Sequence, residues 1–260
     1  MDFLKTIVAE KHEQVAAAKK AAPFAEVRDA AEARTDFRSC AGALIDAAHD
    51  RVNIIAEIKR ASPSRGVIRE RVDAAVLAKA YERGGAAAIS VLTESAYFKG
   101  NAADLKAARV AQGLPVLRKD FIVDDYQVYE SAAMGADAIL LIVRILDERR
   151  LGHYFALAGE LGLDVLVEVY GENELDVAGR AGATLIGINN RNLDSFDTDV
   201  GRAGRMAARL GGDVVAVAAS GVAGRSDIEA GMKAGIRNFL VGESIMRADD
   251  PEAFLRELIR

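Results

Sequence analysis

The spacing of apolar residues changes character near residue 53. Before it, Leu4, Ile7, Val8, Lys11 and Val15 recur at helical intervals, which predicts an amphipathic helix. Pro23 interrupts that pattern, and a second helical piece is expected over 39–48. This extension shows no chemistry of its own; packing against the main body is its expected role. From Asn53 on, short apolar runs alternate with helical stretches. Glycine-led segments recur about every 50 residues, at Gly85, Gly135, Gly182 and Gly235. A second set, at Gly113, Gly162 and Gly212, interleaves with the first. Each glycine is expected to end a helix at C′, where positive φ is tolerated, with a strand following.

The repeat therefore predicts strands at 53–59, 88–92, 115–119, 138–142, 164–169, 184–189, 214–219 and 237–242. They are short and apolar on both faces, as parallel strands covered by helices must be. Such a count describes an α/β fold, a (β/α)8 TIM barrel, as a single domain over 1–260. Residues 1–50 would be its helical N-terminal extension and 51–260 its eight βα units. A doubly wound open sheet competes, but no Gly-x-Gly-x-x-Gly follows the first strand.

Composition narrows the partners. The net charge of −5 gives no excess of Lys and Arg for binding nucleic acid. It leaves room for an anionic small-molecule substrate, because a local field can oppose the net charge. One cysteine, Cys40, allows no internal disulfide and reads as a small buried hydrophobe. His12, His49 and His153 lack metal-ligand spacing, so no metal is expected. Met1-Asp2-Phe3-Leu4-Lys5 has no signal-peptide character, and no apolar run is long enough to span a membrane. The expectation is a cytoplasmic protein, a monomer or weak oligomer, with no second domain fused to it.

Barrel enzymes place their chemistry at the C-terminal ends of the strands. There the sequence puts Glu57 and Lys59, two apart and so on one face of the first strand. Lys119 ends the third strand, Glu168 sits inside the apolar fifth, and Asn189 ends the sixth, followed by Asn190, Arg191 and Asn192. Two ammonium groups and two carboxylates converging on one pocket suit proton transfer. Arg118, Asp120 and Asp137 read instead as structural charges. Ser220-Gly221 and Gly242-Glu243-Ser244 form turns after strands seven and eight, the common phosphate position in such barrels. Lys59 and Arg191 would add positive charge there. Phe98 and Phe121 follow strands two and three and could line a slot for a flat ring.

The run Ile55-Ala56-Glu57-Ile58-Lys59-Arg60-Ala61-Ser62-Pro63-Ser64 resembles the signature of the indole-3-glycerol-phosphate synthase family. The likeness continues through Leu117-Arg118-Lys119-Asp120-Phe121-Ile122, Leu166-Val167-Glu168-Val169 and Gly187-Ile188-Asn189-Asn190-Arg191-Asn192-Leu193. It ends at the Ser220-Gly221 and Val241-Gly242 turns and covers essentially the whole chain. The resemblance implies a carboxy-lyase of tryptophan biosynthesis that needs no cofactor. Its reaction closes 1-(2-carboxyphenylamino)-1-deoxyribulose 5-phosphate to indole-3-glycerol phosphate, carbon dioxide and water.

By the same resemblance Lys119 is the general acid, Glu168 a base, and Glu57 with Lys59 serves the dehydration. Asn189 would hold the substrate or orient Glu57. Ser62, Arg191, Ser220, Gly221, Gly242 and Glu243 would bind the substrate's anionic groups, Glu243 through its backbone. Pro63, Phe98, Phe121, Leu140, Leu193 and Val241 would enclose the aromatic ring, and 60–66 would form a lid. The family usually carries glutamate where this chain has Ala219, and some members carry Ser or Thr where it has Glu243. Phosphoribosylanthranilate isomerase is the nearest enzyme alternative, but it needs a strand-one cysteine, and Cys40 lies in the extension. A silent phospho-ligand module would not need the lysine–glutamate set.

Overall fold

A computed structural model of the chain describes residues 3–45, 52–190 and 201–260. The strands are β1 (Asn53–Ile58), β2 (Ala88–Leu92), β3 (Val116–Lys119), β4 (Ala138–Ile142), β5 (Asp164–Val169), β6 (Leu185–Asn189), β7 (Val215–Ala219) and β8 (Asn238–Val241). Each pairs in parallel with its neighbours in sequence, and β1 also pairs with β8 through Asn53–Asn238 and Ala56–Val241, so the sheet closes into a barrel. The observed bounds lie within a residue of the predicted ones, because the apolar runs that mark the strands end abruptly at polar loops.

The helices are α1 (Phe3–Ala21), α2 (Phe24–Glu32), α3 (Cys40–Ile45), α4 (Ala74–Arg83), α5 (Ala102–Ala111), α6 (Asp125–Ala133), α7 (Glu148–Glu160), α8 (Glu172–Arg180), α9 (Arg202–Ala207), α10 (Arg225–Lys233), α11 (Glu243–Arg247) and α12 (Pro251–Ile259). Acid and amide side chains start several of them. Asp73, Asn101, Asp124, Asp147 and Asp250 each accept a backbone N–H of the first turn. Gly85, Gly135, Gly162, Gly182 and Gly235 sit at C′ with φ between 79° and 98°. The residue after each donates its N–H back five positions, for example Ala86 to the Tyr81 carbonyl and Leu163 to that of Ala158, which closes a Schellman turn. Gly113 and Gly212 depart from the expectation, since neither has positive φ. The chain leaves α5 through an extended Gln112 instead.

Alternation along each strand divides the core in two. Ile55, Leu117, Leu140, Leu166, Leu185, Val217 and Leu240 fill the barrel interior. Ile54, Ile89, Val116, Ile139, Val167, Ile186, Phe239 and Val241 face the helices. A shift of one residue would exchange the two sets, so this pattern fixes which polar side chains enter the barrel.

The extension wraps both ends of the barrel. Leu4, Ile7, Lys11 and Val15 of α1 are buried, and Phe3 and Leu4 join the inner core. Pro23 does not merely interrupt the helix: it stands at the N-cap of α2, which the sequence pattern did not predict. At the floor, Cys40 and Leu44 plug the interior, and burial pushes the Cys40 thiol up to about 12. Asp137, wholly buried, anchors the strap. It accepts from Arg34 Nη2 at 2.6 Å and the N–H groups of Arg38 and Val116, and lies 2.9 Å from Arg109 Nε. These contacts confirm the structural reading of Asp137. Part of the predicted 39–48 helix, and His49, lie outside the described residues.

Candidate active site

A cavity of about 490 Å³ opens at the C-terminal end of the barrel. Strand register explains what it contains. The inward positions of β1, β3, β5 and β6 that follow the inner apolar layer are Glu57, Lys119, Glu168 and Asn189, and all four line the cavity with Lys59. Ser62, Pro63, Phe98, Phe121, Leu140, Ser220, Gly221, Gly242 and Glu243 line it too. Val241 does not. It belongs to the helix-facing layer, and Leu240 takes the inward place beside it. Arg191 and Leu193 lie outside the described residues.

The charged groups are paired. Lys59 Nζ is 2.8 Å from Glu57 Oε1, and Ser90 donates to the other Glu57 oxygen at 3.3 Å. Lys119 Nζ donates to Glu168 Oε2 at 3.2 Å, and Asn189 Nδ2 donates to Oε1 at 3.2 Å. Asn189 Oδ1 in turn accepts the Ser220 hydroxyl at 2.8 Å. Burial alone would push the Glu57 carboxyl up, but Lys59 and Lys119 hold it below the usual carboxylate range. Burial likewise pulls the Lys119 ammonium down, yet Glu168 and Glu57 prevail and hold it above the usual lysine value. The cavity thus presents two lysines in contact with two carboxyl groups, in surroundings where a charge acts strongly.

The walls come from the loops. Residues 60–67 turn back over the cavity as a short hairpin, Ala61–Ser62 against Gly66–Val67, and Ala61 donates its N–H to the Phe98 carbonyl. Phe98 is set by Glu94, a buried carboxylate that accepts the N–H groups of Ala96, Tyr97 and Phe98 at 2.8–3.0 Å. The Phe98 and Phe121 rings lie 6.3 Å apart at 41°, leaving an apolar slot bounded also by Leu140. Phe3 and Leu4 of α1 close that side, so the extension contributes to the site after all. Asp120 also lines the cavity, and it pairs with Lys11 at 2.8 Å and with Arg118 at 3.2 Å, the engagement that structural charges would show.

Opposite the slot, the Ser220-Gly221 and Gly242-Glu243 turns face the cavity. Gly242 is forced by space: a Cβ there would lie 2.4 Å from Glu57 Oε1. The Glu243 carboxylate is turned toward Arg65 at 3.4 Å and Arg247 at 3.2 Å. Those two arginines also line the cavity, as sequence reasoning missed; only their acidic partner was marked. Ala219 puts a methyl group on the wall. Among the described residues, no group of three or more His, Cys, Asp and Glu is placed to hold a metal ion. No described helix is long and apolar enough to cross a membrane.

Comparison with solved structures gives the fold alone. A thiamine phosphate pyrophosphorylase from Pyrococcus furiosus matches with a TM-score of 0.61 at 18% identity, covering 80% of this chain and 93% of that one. The Streptococcus mutans protein KGPDC matches with 0.61 at 12% identity, covering 80% and 95%. Sequence relatives are nearer. The indole-3-glycerol phosphate synthase of Desulfosudis oleivorans is 54% identical over 259 residues, 99% of this chain and 98% of that protein. Those of Syntrophobacter fumaroxidans and Laribacter hongkongensis are 48% and 49% identical, each over 99% of this chain and over 97% and 98% of their own lengths. With the family model for indole-3-glycerol phosphate synthase matching residues 4–258, this chain belongs to the indole-3-glycerol phosphate synthase family.

Proposed function

We propose that Lys119 is the general acid of the ring closure that this carboxy-lyase performs. The observation that carries the assignment is the gathering of the Lys119–Glu168 and Lys59–Glu57 pairs in one cavity, beside two glycine turns and an aromatic slot. When the ring carbon bearing the carboxylate attacks the ketone, negative charge grows on the ketone oxygen. An ammonium already oriented toward it stabilises that charge and supplies the proton. Glu168 keeps Lys119 charged before the attack and acts as a base after it. Loss of carbon dioxide restores the aromatic ring. A hydroxyl must then leave with a proton and a C–H must lose one. Glu57 with Lys59 carries this step, as a carboxylate and an ammonium in contact can do.

Phe98, Phe121, Leu140 and Pro63 enclose the anthranilate ring, with Leu240 in the place expected of Val241. Ser62, Ser220, Gly221, Gly242 and the backbone of Glu243 receive the phosphoryl tail, with Arg191 on an anionic group. The arginines around the Glu243 carboxylate turn it away from that tail and offset its charge. The hairpin over 60–67 excludes water once substrate is seated. The protein works in the cytoplasm, as a monomer or weak oligomer and without a cofactor.

Mixing purified protein with the carboxyphenylamino-deoxyribulose phosphate and following indole fluorescence tests the assignment. Lys119→Ala is expected to lose at least about 10³-fold in kcat while still binding inorganic phosphate, since one preorganised donor at an oxyanion is worth about that much. Normal turnover by Lys119→Ala would show that the proton comes from elsewhere.

A further inference from the structure

Two arginines from separate elements meet at one carboxylate on the cavity wall. Arg65 lies in the hairpin turn between Ala61–Ser62 and Gly66–Val67, and Arg247 is the last residue of α11. Arg65 Nε is 3.4 Å from Glu243 Oε1, and Arg247 Nε donates to the same oxygen at 3.2 Å. Among the described residues neither side chain has another partner. Nε carries one of the five donors of a guanidinium, so the four on the Nη groups of each arginine are uncommitted. All three residues line the cavity.

The group has a surplus of positive charge, because two guanidiniums share one carboxylate. It stands directly after Gly242, in the turn read above as receiving the phosphoryl tail. The next hydroxyl along the chain is engaged elsewhere: Ser244 Oγ donates to the Val222 carbonyl at 2.8 Å. A phosphoryl group carries a charge of about −1.5 to −2 and three strong acceptor oxygens, and a guanidinium edge matches two of them at once. A carboxylate alone at this place would only repel such a group. We propose that Arg65 and Arg247 form a clamp on the dianionic tail, and that Glu243 is a positioning residue. It holds both Nε edges and so presents the Nη groups to the phosphoryl oxygens. This rests on the reading of the two glycine turns as the phosphoryl site.

Inhibition by inorganic phosphate, together with turnover of the substrate and of the same molecule lacking its phosphoryl group, tests it. The arginine side chains are 60% and 49% exposed, so replacing them leaves the core intact. Arg65→Gln and Arg247→Gln should each weaken phosphate inhibition about tenfold, the factor carried by one hydrogen bond to a charged group, and raise KM. Turnover of the dephosphorylated molecule should change less than about twofold, since it gives the clamp nothing to hold. Glu243→Ala should weaken phosphate inhibition about fivefold, and Glu243→Gln, which keeps an acceptor, should recover most of that loss. In the Arg65→Gln/Arg247→Gln background the sign should reverse. With nothing left to position, Glu243→Ala removes only repulsion, and phosphate should bind more tightly. Wild-type phosphate inhibition in either arginine variant would overturn the clamp, as would an equal loss toward the dephosphorylated molecule. Tighter phosphate binding by Glu243→Ala alone would show that Glu243 repels the tail and positions nothing. If the wild-type enzyme is not inhibited by phosphate and takes both substrates equally well, it is the phosphate reading of these turns that fails.

Discussion

Replacing Gly242 with alanine would place a Cβ 2.4 Å from Oε1 of Glu57, 3.2 Å from its Cδ and 2.9 Å from Nζ of Lys59. The φ of Gly242 is −120°, outside the left-handed region that favours glycine, so it is space that calls for glycine here. Glu57 is 3% exposed and held at both oxygens, by Lys59 and by Ser90, so it has no free direction of retreat. To reach a permissible contact the carboxylate must move by about 0.6 Å or more, or the turn must lift away. Overpacking of this kind costs about 1–3 kcal/mol of stability, a few degrees in Tm for a chain of this size. The catalytic cost is larger. Displacing one member of a reacting set by an ångström costs about 10²-fold, so Gly242→Ala should lose about that factor in kcat/KM. Gly224→Ala is the control, because a Cβ there meets nothing within 4 Å. Indole fluorescence reads the rate and thermal unfolding reads the fold. A Gly242→Ala enzyme within twofold of wild type would refute the claim that this glycine makes room for the Glu57–Lys59 pair.

Asp137→Asn keeps the shape of the floor anchor but leaves Arg34 and Arg109 facing a neutral group. It should lower stability by about 3–5 kcal/mol and Tm by roughly 10 °C, with kcat at 25 °C unchanged; a Tm loss under about 2 °C would count against the anchor. At Asp120, burial pushes the carboxyl up, but Arg118 and Lys11 hold it below the usual carboxylate range. Its stabilising contribution is thus present above the ordinary value near 4 and disappears as pH falls through the lower folded one. Lys11→Met removes one of those cations and should make stability fall less steeply between pH 5 and pH 3. Urea midpoints across that range measure the slope, and equal slopes would sink the assignment.

The reactive set was legible because barrel strands are short and their apolar surroundings make any charge conspicuous. Glu57 and Lys59 share a face by a spacing of two, and Glu168 interrupts an otherwise apolar strand. Inward or outward direction is harder to read at a strand end. Val241 and Leu240 are both apolar and adjacent, and only the register with β1 and β7 separates them. The part played by Phe3 and Leu4 was hidden because an apolar stripe on a helix says that it is covered, not by what. Helix α2 was missed because a proline that ends one helix also starts the next. Arg65 and Arg247 look like ordinary surface charges until the fold brings them to Glu243.

The strap around the barrel also constrains the order of events at the ribosome. The anchors Lys19–Asp124, Arg34–Asp137 and Ser39–Asp164 join residues 103 to 125 positions apart. At about 5–20 residues per second, the partners of Lys19, Arg34 and Ser39 emerge roughly 5–25 s after them. For that interval the oily side of the leading helix has nothing to cover it. This stretch thus reaches its place only once Asp164 has been made, and the entropy of closing those long loops falls on the steps after that.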